Sequence, residues 1–519
     1  MSRYWPRRWL PVAIALLLAL VVAVARFAAS PHASALHMLA LDQQPVQLAV
    51  DEEAGRTYLA IGDTIGFGPR GSNAHLVVID NRSAAIVARL GVIDQPAVLT
   101  LDSPAHRVLL SNDLGGVSVI DTVGPRSAGT IGSRLGSAAG MLFTLVADPE
   151  TNRAFRTNQG GGLDVLDAKT GLLVRTVLGG RGADMQQTES ATVDAATHRV
   201  FVVVVTAAGQ EVAVLDANTG TPLRTIPLSA PSTQSFYDCQ DPVVGASGDR
   251  IYVPDSAGGR LLVLDGRSGS ILRALKAGTQ PCTLLLADSL HRAYLTDTIK
   301  DSVVTIDTVT DRVLWTARLP ARPGCNLFVD QRRGVVLVLL NSATGQSALA
   351  VLSAASGRLL RTVDLGGVAV SAAFDEPSGH LYIARVDGSL LTYDGVSPRP
   401  LRTISVGMPI WYLAVDGPHR RLIGAGSSSH VPRRVNDDLL TWLRDRLPWL
   451  SGVGPASTPN QDMNLVWTSK AVVIDIDDES ASWQAADHAA GLPFTRQPAQ
   501  SVGRRLIEHT VPHNLPGSN

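Results

Sequence analysis

The sequence predicts an all-β fold, a β-propeller of four-stranded blades. Three observations carry that reading. From residue 36 onward the apolar residues alternate or form runs of four to six, rich in Val, Leu and Ile, which is the strand pattern. An Asp closes a run of the type Val-Val-Ile-Asp at Asp80, Asp121, Asp167, Asp216, Asp265, Asp307, Asp394 and Asp475. Between Asp307 and Asp394, Ser353 stands in the same place, and from Asp80 to Asp394 the steps are 41 to 49 residues. A fixed period of this length holding four short strands is the signature of a propeller blade, and a sandwich keeps no such period.

Composition agrees. The 519 residues include 47 Gly and 30 Pro, and only 18% are charged, as expected of many short strands joined by tight turns. Lys and Arg number 45 against 46 Asp and Glu. A dedicated nucleic-acid binder needs a basic face to displace counterions, so no nucleic acid is expected as a partner.

Residues 1–35 read as a targeting segment. Arg3, Arg7 and Arg8 precede an unbroken apolar run from Leu10 to Ala25, with Trp5 and Trp9 at its start. A retained transmembrane helix is the leading reading, with the amino terminus cytoplasmic and the propeller outside. The alternative is a secretory signal cleaved near Ala35, since Ala33-Ser-Ala35 has the small-x-small form of a cleavage site. The next piece, Leu36–Asp42, resembles a fourth strand followed by a linker. It is expected to pair into the last unit and close the ring, which removes two open sheet edges.

The propeller is expected to span residues 36–480. Units begin near residues 45, 97, 142, 190, 242, 283, 326, 370 and 411. Nine units imply eight or nine blades. Within each, a short inner run ends in Asp, and a second strand follows Arg or His, as in Asp102…His106-Arg107 and Asp288…His291-Arg292. The third strand ends in the marker Asp. The turn Asp-x-x-(Thr/Ser)-Gly then leads to an outer strand: Gly171, Gly220, Gly269 and Gly357 take the positive φ that closes it. The repeat breaks at 431–465. There Asn436–Leu450 reads as an amphipathic helix with Leu439, Leu440, Trp442, Leu443 and Leu447 on one side. It is expected to lie on the propeller or to contact a protein partner or the membrane. Residues 481–519 form a polar tail.

The repeat units resemble the YVTN/YncE-like β-propeller family. The likeness rests on Val406-Gly-Met-Pro-Ile-Trp-Tyr-Leu-Ala-Val-Asp416, Arg250-Ile-Tyr-Val-Pro-Asp255, Val117-Ser-Val-Ile-Asp-Thr122 and the degraded signature Tyr294-Leu-Thr-Asp297. It covers residues 40–425 and resumes near Lys470–Asp475. The resemblance implies the propeller fold and an exported or surface-associated binding protein. Related propellers include lactonases and quinoprotein-like enzymes, so an enzyme of either kind is the alternative function.

No catalytic set and no metal site emerge from the residues. The recurrent Asp residues are expected to cap turns. His106, His198, His291, His380 and His419 recur between first and second strands, each on a different unit, too dispersed to share a metal. Gly66-Phe-Gly-Pro-Arg-Gly71 matches a dinucleotide fingerprint, but a strand follows it where a helix is needed. No cofactor is assigned, and enzyme activity is left open, with binding favoured. The ring is expected to be monomeric. Linkers entering the inner strands gather at one channel mouth and carry Gln95, Gln187, Glu189, Tyr237, Asp238, Gln240, Asp241, Gln280, Asn326 and Trp411, a polar rim with aromatics suited to a ligand. Cys239, Cys282 and Cys325 lie 43 residues apart at equivalent places. They read first as three small buried residues and second as a disulfide between neighbouring units.

Overall fold

The computed structural model describes residues 36–62, 74–92, 96–112, 116–124, 126–131, 144–158, 162–179, 187–206, 209–229, 241–245, 248–341, 345–430 and 466–477. These form nine four-stranded antiparallel sheets, a nine-bladed propeller. The expected amino-terminal helix and the expected helix at 436–450, like Gly66–Gly71 and residues 481–519, lie outside the described residues. Among the described residues no helix is long and apolar enough to cross a membrane.

Blades one to nine begin at Pro45, Pro96, Leu145, Gln187, Val243, Pro281, Arg322, Ala369 and Ile410. In the first eight, four consecutive strands run from the inside of the ring outward. The ninth takes three strands from Ile410–Asp416, Arg421–His430 and Val466–Asp475, and its outer strand is Leu36–Leu41. Leu36 pairs with Ile474 and Leu41 with Ser469. The closing strand therefore stands where the sequence places it.

The core is divided among the nine interfaces between blades. Tyr58, Leu76 and Val78 of blade one pack on Leu99, Val108 and Ile120 of blade two. Leu41, Ala471 and Val473 of blade nine pack on Leu59, Ile61 and Val77 of blade one in the same way. Each sheet is buried on both faces, which is why its second and third strands are near-continuous apolar runs.

Alternating strand direction gives the ring two faces. On the turn face lie the connections from first to second and from third to fourth strands. Here the repeated residues are used up. Asp265 accepts from the backbone N–H groups of Arg267 and Ser268, and Asp307 from those of Val309 and Thr310. These bonds hold both carboxyls below the usual range. Gly269 follows at φ 65°, and a Cβ there would meet Val214 of the preceding blade at 2.6 Å. The turn thus needs glycine for conformation and for clearance.

Seven of the nine second strands open with Arg, the exceptions being Val335 and His380, and these arginines reach forward to the next blade. Arg153 donates to the carbonyl of Asn218, Arg199 to Arg267 and Arg250 to Thr308. Arg56 reaches Thr122 and Arg292 reaches Ala354 in the same manner. Arg421 of blade nine donates to Asn81 of blade one at 3.1 Å, so the closing interface uses the internal contact. Three of the five recurrent histidines also find a backbone reason. His106, His198 and His291 have φ of 51–53°, where Gly55, Asn152, Gly334 and Gly379 stand in other blades. This left-handed turn position tolerates His and Asn better than branched residues. His380 and His419 sit one residue to either side of it, so the five do not share one position.

Candidate binding site at the channel mouth

The opposite, mouth face is where copies differ. Inner strands begin there, and in most blades the first rungs are irregular. Pairing with the second strand skips Val46, Ala97, Glu189, Val370 and Trp411 in blades one, two, four, eight and nine. It skips Cys282 and Thr283 in blade six, and Gly324 to Asn326 in blade seven. A bulge leaves its extra residue unpaired and re-aims it. The fold thereby frees one or more positions at the channel rim in seven of the nine blades. In blade six the backbone N–H of Thr283 is satisfied by the Thr296 hydroxyl at 3.1 Å.

Glu189, Asn326 and Trp411 are therefore not linker residues, as the sequence suggested, but bulged residues of the inner strands Gln187–Asp194, Arg322–Asp330 and Ile410–Asp416. Gln187 opens the first of these. Asp241 is exposed in the linker before blade five. Gln280 lies in the linker before blade six, where its side-chain oxygen accepts from Thr298 at 3.2 Å. The Trp411 indole donates to the carbonyl of Ser427 at 3.2 Å, which fixes the ring against its own blade. Tyr237, Asp238 and Gln240, with Gln95, lie outside the described residues.

Below the rim the inner strands carry aliphatic and aromatic residues. Leu48, Val146, Val193, Leu284, Phe328, Phe374 and Leu413 are half-buried there and pack against the cores between blades, and the rings of Phe328 and Phe374 lie 6.0 Å apart. Glu189 is an ionisable group shifted by this environment. Burial, with a further contribution from the Asp241 charge, pushes its carboxyl up to about 7. Both causes act against the charged form. The adjoining Ser190 is buried, and its hydroxyl finds no partner among the described residues.

Cys282 is buried and disulfide-bonded. The reading of three unbridged cysteines is thereby replaced by the second reading. With three cysteines in the chain, the partner is Cys239 or Cys325. Among the described residues no group of three or more His, Cys, Asp or Glu is arranged to hold a metal.

No protein-family profile matches the chain, and no curated protein matches it. Solved structures do resemble it. The dihydro-heme d1 dehydrogenase NirN in complex with DHE is 14% identical, with a TM-score of 0.50 over 71% of this chain and 76% of that one. The computationally designed Ika8 protein is 13% identical, with a TM-score of 0.45 over 64% of this chain and 93% of that one. BamB from Moraxella catarrhalis is 17% identical, with a TM-score of 0.44 over 64% of this chain and 95% of that one. At such identities the likeness extends to the fold, and propellers host unrelated activities.

Proposed function

We propose that this chain is a membrane-anchored, extracytoplasmic propeller that binds a ligand or protein partner at its mouth face. The carrying observation is the division of labour between the two faces. Repeated Asp, Arg and His residues are consumed by turns and blade-to-blade bonds. Glu189, Asp241, Asn326 and Trp411 depart from the repeat and collect at the mouth. Two carboxyls above inner strands that carry aliphatic and aromatic residues suit an apolar ligand bearing a positive charge. The anchor rests on Arg3, Arg7, Arg8 and the run Leu10–Ala25. Secretion after cleavage near Ala35 would present the same face to the same side. The YVTN/YncE-like resemblance fits either arrangement.

A propeller enzyme has one observation in its favour. A carboxyl that titrates near 7 in a cleft has the properties of a proton carrier. Among the described residues no nucleophile is hydrogen-bonded to it.

Full-length protein in phosphatidylcholine vesicles separates these readings. Alkaline carbonate should leave it in the membrane fraction, and a mature amino terminus at Leu36 would sink the anchor. A thermal-shift screen of aryl-alkyl ammonium compounds should give hits that Glu189→Gln and Asp241→Asn each weaken. Hits indifferent to both substitutions would move the ligand elsewhere.

A further inference from the structure

The outer strands of the first seven blades share a second irregularity. Each contains a bulge shortly after the turn from the third strand. The extra residue is Val87, Ala128, Val174, Leu223, Leu272, Leu314 and Leu360 in turn. Six of the seven are Val or Leu, and those six are 38% to 52% exposed. In blades five, six and seven the preceding residue, Ile271, Val313 or Leu359, is aliphatic and exposed as well. Blade eight lacks the bulge but exposes Leu401 beside Arg402, and blade nine exposes Met38.

The blade interfaces do not require this. Outer strands are sheet edges, which soluble proteins blunt with charge. Repeated apolar exposure marks an interaction surface. The belt also has a definite height. Bulges sit one or two rungs from the turn face, within about 7 Å of it at ~3.4 Å per residue. Peripheral elements bury their apolar residues about 5–10 Å into a bilayer interface.

The closing strand supplies the orientation. Leu36 pairs with Ile474, next to the turn marked by Asp475, so the chain before it departs from the turn face. The apolar run ends at Ala25. The intervening stretch, 26–35, reaches at most about 35 Å. In an anchored chain the tether therefore leaves from the turn face and places that face on its lipid side.

We propose that the propeller is seated on the bilayer by this belt, turn face toward the lipid and channel mouth away from it. The proposal rests on the anchored reading above. Attraction is apolar, because the turn face interleaves aspartates with its arginines. Zwitterionic lipid therefore suffices.

The test compares two ends of one blade. A photo-crosslinking benzoylphenylalanine replaces either Leu314, in the belt, or Ile299, exposed in the mouth-face turn of the same blade. The full chain is placed in phosphatidylcholine vesicles, floated, irradiated and weighed by mass spectrometry. Lipid adducts at position 314 should exceed those at 299 at least tenfold. Combining Leu223→Ser, Leu272→Ser and Leu360→Ser should cut them about fivefold without changing the melting temperature. Equal adducts at both positions in floating protein, or a crosslink from 314 to a second copy, overturns the seating alone. Protein that does not float overturns the anchor with it.

Discussion

The side-chain amide of Asn81 donates to the buried carboxylate of Asp416 at 2.7 Å, joining the first blade to the ninth across 335 residues. Arg421 reaches the Asn81 backbone carbonyl from the same side. Asn81→Ala removes the donor to a buried carboxylate, and such a loss costs about 1–3 kcal/mol. The denaturant midpoint should fall. Lys300→Ala, in a mouth-face turn, should leave it in place.

The closing strand is the other half of that seam. Successive N–H groups along Leu36–Leu41 point alternately toward and away from the third strand of blade nine. Replacing both Met38 and Leu39 by proline must therefore delete at least one ladder bond. The double variant should unfold at lower temperature, and protease should cut near residue 42 first. An unchanged melt would mean that the ring is held shut without this strand.

Glu189 gives a pH dependence with a fixed sign. Its carboxyl titrates near 7 in the folded chain, against 4.5 ordinarily. Between those values the folded state holds more protons than the unfolded one. This group's contribution to stability therefore falls as pH rises from about 4.5 to about 7. Glu189→Gln should raise the melting temperature at pH 8 and change it little at pH 4.5. Asp241→Asn should shift the dependence to lower pH. Parallel melting curves across the range would contradict the assignment.

The Cys282 bridge closes a loop of the same length with either partner, since both lie 43 residues away. Loop entropy assigns such a bridge about 4 kcal/mol. Reductant should lower the melting temperature as much as Cys282→Ser does. Alkylation of unfolded, non-reduced protein should label one thiol, and peptide mapping then names the partner.

Much of this architecture is legible along the chain because its causes are local. Asp followed by Thr-Gly specifies a turn from neighbouring residues, so Asp167 and Gly171 are read correctly without a structure. Leu36–Leu41 is recognisable as a fourth strand left without the other three. The arginine bonds are not legible, because Arg250 finds its acceptor in Thr308, one repeat further on. The bulges are hidden for a different reason. Ile271-Leu272 looks like a fragment of any buried run until its register is known. At the mouth, Asp241 and Gln280 stand in linkers while Glu189 stands on a strand, because one skipped rung moves a residue from loop to rim. Nothing local marks Glu189 as desolvated, since its surroundings are assembled from several blades.

The forward reach of the arginines has a consequence for how large the ring is. A bond from one blade's Arg to the next blade's turn carbonyl reads the same at Arg199 as at Arg421. The seams beyond blades seven and eight depart from this code, since their second strands open with Val335 and His380 and the bonds come from Arg333 and Arg420 instead. The interfaces that share the code cannot count. The number nine is instead stored in the split blade, whose missing strand waits at the far end of the chain. A gene that lost or gained one internal repeat would encode a ring of a different size with the same vocabulary of contacts. Diversity in such a family would then accumulate in channel width and in rim residues, while the turn face stayed legible from one member to the next.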